Sequence, residues 1–102
     1  MKGEAEQLVY SKNLEEVSAL MRACTHPLRM QIISFIHTHK SINVNTIYEA
    51  LNLEQSVASQ QLKILRESNI VLTQRNGKFI FYSLNYELLA LIAISVHKYF
   101  GS

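Results

Sequence analysis

Gln55-Ser56-Val57-Ala58-Ser59-Gln60-Gln61-Leu62-Lys63-Ile64-Leu65-Arg66-Glu67-Ser68 is followed, two residues on, by Val71-Leu72-Thr73-Gln74-Arg75-Asn76-Gly77-Lys78-Phe79-Ile80-Phe81-Tyr82-Ser83-Leu84. In the first stretch Ala58, Leu62 and Leu65 recur at the spacing of a helix that buries one side. Ser56, Ser59, Gln60 and Lys63 share the opposite side. That side is polar and mostly uncharged, whereas a merely solvated helix face carries more Glu and Lys. In the second stretch, Asn76-Gly77 between the runs 71–74 and 79–84 predicts a β-hairpin. A helix faced with amides and hydroxyls can enter a major groove, and a hairpin with a basic tip can reach the neighbouring backbone or minor groove.

The flanking segments complete the pattern. Upstream, Asn45 to Leu51 fits a short helix, capped by Asn45 or Thr46, with Ile47, Ala50 and Leu51 inward. Asn52-Leu53-Glu54 is a tight break before the helix that runs from Gln55 to about Ser68. Before these, Leu28, Ile32, Phe35 and Ile36 mark a helix that Pro27 opens and His26 caps, running to about Thr38. Residues 37–43 read as its polar end. The first helix spans about Glu4 to Cys24, with Leu14, Val17, Met21 and Cys24 on one stripe. The last spans Asn85 to Phe100, and eight of the nine residues Leu88–Val96 are apolar. A helix apolar on every side needs cover beyond its own domain, so a second copy of the chain is expected. The architecture predicted is mainly α with a small β-hairpin, a winged helix-turn-helix of order α-α-α-α-β-β-α. Residues 1–102 form one domain, with 45–68 as helix-turn-helix, 70–84 as wing, and 1–24 and 85–102 as dimerisation helices.

Composition narrows the function. The chain has 102 residues, 48 % hydrophobic and 18 % charged, enough for one cored domain rather than a disordered tail. All eight acidic residues are Glu, which removes Ser/His/Asp triads, Asp dyads and Asp-rich calcium loops together. One Cys excludes an intramolecular disulfide and any multi-cysteine zinc site. With no paired nucleophile and base and no phosphate-cradling Gly loop, an enzyme is not expected, and no cofactor is expected either. Met1-Lys2-Gly3-Glu4-Ala5-Glu6 lacks the apolar core of a secretory signal, and no run approaches the roughly 20 residues of a membrane span. A cytoplasmic protein without a membrane partner is expected. Net charge is only +2. Between Gln55 and Ile80, however, Lys63, Arg66, Arg75 and Lys78 face the single acid Glu67, a local charge of +3.

Three stretches together resemble the arsenical-resistance-type (ArsR/SmtB) bacterial repressors. Ala23-Cys24-Thr25-His26-Pro27-Leu28-Arg29-Met30-Gln31-Ile32 is similar to that family's A-x-x-H-P-x-R-x-x-I opening. Residues Leu53 to Leu65 resemble its recognition-helix pattern L-S-Q-S-x-V-S-x-H-L-K-x-L. Gly77-Lys78 with Phe81-Tyr82-Ser83-Leu84 resembles its wing pattern G-[RK]-x-x-[YF]-Y-x-L. The resemblance covers nearly the whole chain in order. It implies a homodimeric winged-helix repressor, paired through its first and last helices, that leaves operator DNA when an inducer binds. Gln55, Ser56, Ser59, Gln60, Gln61, Lys63, Arg75 and Lys78 are then the candidate contacts to double-stranded DNA. Leu14, Val17, Met21, Leu88, Leu91, Ile92 and Ser95 are the candidate dimer face. Gln61 lies between the inner and outer arcs of its helix, where a phosphate contact, a structural hydrogen bond and a base contact are all open. A winged domain used for protein–protein contact is the alternative, and its binding would be far less sensitive to salt.

The resemblance departs from the family at its metal sites. The family's E-L-C-V-C-D-L thiolate site falls on Ser41-Ile42-Asn43-Val44-Asn45-Thr46-Ile47, where both cysteine positions are Asn, and a carboxamide is no soft ligand. Its other zinc site falls on Tyr86, Leu88, Tyr99 and Ser102, which supply no ligand set. His37 and His39 diverge at a helix end, and His97 stands alone on the last helix. No metal site is expected, and the inducer is not identified by the sequence. Cys24 reads as a small hydrophobe on an apolar stripe, with a single-thiol redox switch as the alternative. Equilibrium dialysis should therefore find no stoichiometric zinc, cadmium or arsenite. One ion bound per protomer below micromolar free metal would contradict this.

Overall fold

The computed structural model describes residues 14–101. Its elements are α1 (Leu14–Thr25), α2 (Pro27–His39), β1 (Ser41–Asn43), α3 (Val44–Ala50), α4 (Gln55–Glu67), β2 (Val71–Asn76), β3 (Phe79–Leu84) and α5 (Tyr86–Phe100). The part of the first helix expected over residues 4–13 lies outside the described residues. Five helices and one small sheet give the predicted winged helix-turn-helix, with one strand more than the sequence suggested.

That strand is β1. The sheet has the order β1-β3-β2, antiparallel throughout, so β3 is central. Ser41, Ile42 and Asn43 pair with Ser83, Tyr82 and Phe81. Only Ile42 is buried. Three residues are too few for period-two alternation to stand out, and so 37–43 read as a polar tail. The strand also moves the cap of α3. Asn43, not Asn45 or Thr46, is the N-cap, its Oδ1 accepting from the Asn45 N–H at 2.8 Å. Within α3, Ile47 is fully buried and Leu51 half-buried, but Ala50 is exposed rather than inward.

The core is built from one stripe of each helix and the inner face of the sheet. Ile32 and Ile36 of α2, Ile47 of α3, Leu62 and Leu65 of α4, and Ile70, Val71, Tyr82 and Leu84 join in one cluster. Leu65 is fully buried, as the periodicity required. His26 caps α2, its Nδ1 accepting from the Leu28 N–H at 3.2 Å. Asn85 fixes the start of α5 from both sides. Its Oδ1 accepts from the Leu88 N–H at 3.1 Å, and its Nδ2 donates to the Asn69 carbonyl at 2.9 Å. β2 continues through Asn76, so the hairpin loop is Gly77-Lys78, with Gly77 at φ +65° where a side chain would be strained.

Cys24 is half-buried and packs against the core cluster. Burial pushes its thiol pKa up, and the Arg29 guanidinium offsets only part of that. Folding therefore favours the protonated thiol. This contribution to stability is complete below the ordinary thiol pKa and is lost as pH rises through the raised one. Only the thiolate is nucleophilic, so the folded chain should react with iodoacetamide more slowly than the urea-unfolded chain at the same pH. Equal or faster reaction of the folded chain would contradict the burial argument. Leu65→Ala should cost roughly 2–5 kcal/mol in a urea titration, since it empties a fully enclosed site.

Candidate nucleic-acid interface

α4 is held by its inner side and presents the other. Ala58, Leu62 and Leu65 are at most 1 % exposed, whereas Gln55, Ser56, Ser59, Gln60 and Lys63 are all exposed. Val57, which the polar spacing leaves out, is exposed as well and adds a small apolar surface to that side.

Three side-chain hydrogen bonds tie α4 to its surroundings. The Ser59 hydroxyl lies 3.0 Å from the Tyr48 hydroxyl of α3. Gln61 Oε1 accepts from Arg29 Nη1 at 2.8 Å. Arg66 Nη1 points at the Tyr82 hydroxyl in the central strand at 3.4 Å, a long contact. Gln61 is half-buried, and its carbonyl oxygen makes the structural bond that the sequence left as one of three options. Tyr48, Arg29 and Tyr82 are not evident as site residues from the sequence. Each meets α4 from another element, 11 to 32 residues away along the chain, where no local spacing carries the signal.

The wing supplies the charge. Arg75 and Lys78 are exposed at its tip. Arg75 Nε donates to the Gly77 carbonyl at 3.2 Å, which braces the side chain against the turn. Lys78 Nζ sits 5.5 Å from the centre of the Phe79 ring. Both cations therefore sit at the end of the hairpin, and Lys63 adds a third on the exposed side of α4.

The candidate dimer residues divide into two groups. Val17, Leu91, Ile92 and Ser95 are buried within the single chain, so their surface is already covered. Leu14 is 48 % exposed, while Met21 and Leu88 are half-buried. Ile94 and Phe100 of α5 are 50 % and 55 % exposed. α1 packs along one side of α5, which covers part of the helix that reads as apolar all round. The histidines separate. His37 Nδ1 is 2.8 Å from the Tyr86 hydroxyl, while His39 turns back to donate from Nδ1 to the Phe35 carbonyl at 2.9 Å.

A family model described as "Bacterial regulatory protein, arsR family" matches residues 26–73, which run from the cap of α2 into β2. The transcriptional repressor PagR of Bacillus anthracis is 36 % identical over 73 residues, 72 % of this chain and 73 % of that protein. The biofilm growth-associated repressor of Xylella fastidiosa is 33 % identical over 89 residues, 87 % of this chain and 77 % of that protein. The crystal structure of the transcriptional repressor BigR from Xylella fastidiosa superposes with a TM-score of 0.67 at 30 % identity, covering 94 % of this chain and 97 % of that one. Sequence and fold agree over most of the chain, which belongs to the ArsR family of bacterial regulatory proteins and is a winged helix-turn-helix regulator rather than an enzyme.

Proposed function

We propose that this chain is a transcriptional repressor that binds an inverted-repeat operator as a homodimer. The observation that carries the reading is the exposed polar side of α4 beside a wing whose tip is basic, on one chain. The similar proteins named as repressors support the direction of regulation. The protein acts in the bacterial cytoplasm, where operator DNA lies.

The roles divide by chemistry. Gln60 offers a donor and an acceptor together, the pattern that suits an adenine edge, and Ser56 and Ser59 can bond bases or phosphates. Gln55 stands at the first turn of α4, close to the backbone path. Lys63, Arg75 and Lys78 anchor phosphates, which carry charge but little sequence information. The free amide nitrogen of Gln61 adds a donor near the same face. Leu14, Ile94 and Phe100 supply exposed apolar side chains for a second chain to cover, together with the half-buried Met21 and Leu88. The two-fold axis then sets two α4 helices in successive major grooves, about 34 Å apart.

Titration against operator and scrambled duplexes at several salt concentrations tests the division, with the operator first selected from a random pool. Gln60→Ala should relax preference at one base pair per half-site, costing roughly 1–3 kcal/mol. Arg75→Ala or Lys78→Ala should weaken all sequences alike and flatten the salt dependence by about one unit of slope for each phosphate no longer neutralised. Full discrimination by the Gln60 variant, with loss in a wing variant, would overturn the assignment. Ile94→Glu should leave the fold intact, because the site is half exposed, and yield a monomer in sedimentation. A wild-type chain that sediments as a folded monomer at micromolar concentration would overturn the dimer.

A further inference from the structure

Arg29 lies at the third position of α2, and its guanidinium reaches two other helices. Nε donates to the Ala23 carbonyl at 2.7 Å and Nη2 to the Arg22 carbonyl at 3.3 Å, both in the last turn of α1. Nη1 donates to Gln61 Oε1 of α4 at 2.8 Å. The C-terminal turn of a helix presents acceptors and a partial negative charge, so a cation is favoured there. The planar guanidinium also fixes the directions of its bonds, which an ammonium group cannot do. One rigid fork therefore joins the end of α1 to the middle of α4.

The other two side-chain ties of α4 lead elsewhere. Tyr48 belongs to α3 and Tyr82 to the wing sheet, the same reading half of the molecule as α4 itself. Among the described residues, the Arg29–Gln61 bond is the side-chain tie from α4 to the α1–α2 end. The buried stripe of Ala58, Leu62 and Leu65 fixes how deep α4 sits, but apolar contacts are non-directional and set its tilt poorly. A directional bond off that stripe supplies the missing constraint.

We infer that Arg29 is a positioning residue that sets the tilt of α4 against α1 through Gln61, and thereby the half-site spacing that the dimer accepts. The inference rests on the operator reading above, with α1 at the two-fold axis. A small rotation of α4 relative to α1 is doubled across that axis, so spacing is the quantity most sensitive to this tie.

The test uses the full chain and a series of inverted repeats whose half-sites are separated in steps of one base pair. The wild type should show one preferred spacing. Gln61→Met keeps the volume of this half-buried site but cannot accept the bond, and Arg29→Lys keeps the charge but loses the fork. Both should reduce the ratio between the best and next-best spacing by about threefold or more, the size of a coupling between directly bonded residues. Gln61→Glu retains an acceptor for Arg29, so it should keep the wild-type optimum while weakening every spacing alike through its negative charge. If Arg29→Lys does not fold, Gln61→Met with Gln61→Glu decides the matter. A sharp wild-type optimum kept unchanged by Gln61→Met overturns this inference alone. A wild type with no preferred spacing overturns the inference and the operator reading together.

Discussion

A helix that must show one side to a ligand can be held only by the other. α4 meets this constraint with three small-to-medium apolar residues, Ala58, Leu62 and Leu65, all sealed against the core. Everything around α4 serves to make that narrow hold sufficient. α2 brings Ile32 and Ile36 to the same cluster, α3 brings Ile47, and the sheet brings Tyr82 and Leu84. Hydrophobic burial supplies most of the free energy of such a core but little orientation. Directional contacts are added by the hydrogen bonds of Ser59 and Gln61 and the longer contact of Arg66, each to a different neighbour.

The parts of the fold that depend on local spacing were legible in the sequence. The buried stripe of α4, the His26-Pro27 opening of α2 and the Gly77 turn all sit where periodicity and cap chemistry put them, and α5 starts within one residue of its expected beginning at Asn85. What was not legible depends on contacts between distant segments. β1 exists because β3 offers it an edge, and Asn43 caps α3 because that strand ends there. On the candidate site, sequence periodicity separated the exposed residues of α4 from the buried ones. It could not distinguish the apolar residues of α1 and α5 that are buried within the single chain from those left exposed. Val17 and Leu91 belong to the first kind, and Ile94 and Phe100 to the second.

The stretch matching the family's thiolate site has a structural occupation in this chain. Ser41 to Asn43 form β1, and the Asn43 side chain is engaged with the Asn45 N–H at the first turn of α3. An Asn at an N-cap is among the best residues for that position, because its short side chain satisfies a backbone donor that the helix cannot. The substitution of carboxamides for thiolates thus leaves this segment with a clear mechanical task. It joins the sheet to the first helix of the helix-turn-helix through a hydrogen-bonded corner.

The length of β1 has a consequence for the stiffness of the wing. β3 is flanked on both sides only from Phe81 to Ser83, and beyond Phe81 the hairpin is a two-stranded ribbon. Two-stranded ribbons twist more strongly than wider sheets and have little stability of their own. The hairpin is therefore graded, with a firm root beside the core and a pliant end carrying Arg75 and Lys78. On the operator reading proposed above, a pliant end would let Arg75 and Lys78 follow phosphates whose positions vary with groove width, while the root stays fixed beside the core. The point where β1 stops thus separates the stretch of wing that shares the core's rigidity from the stretch free to conform.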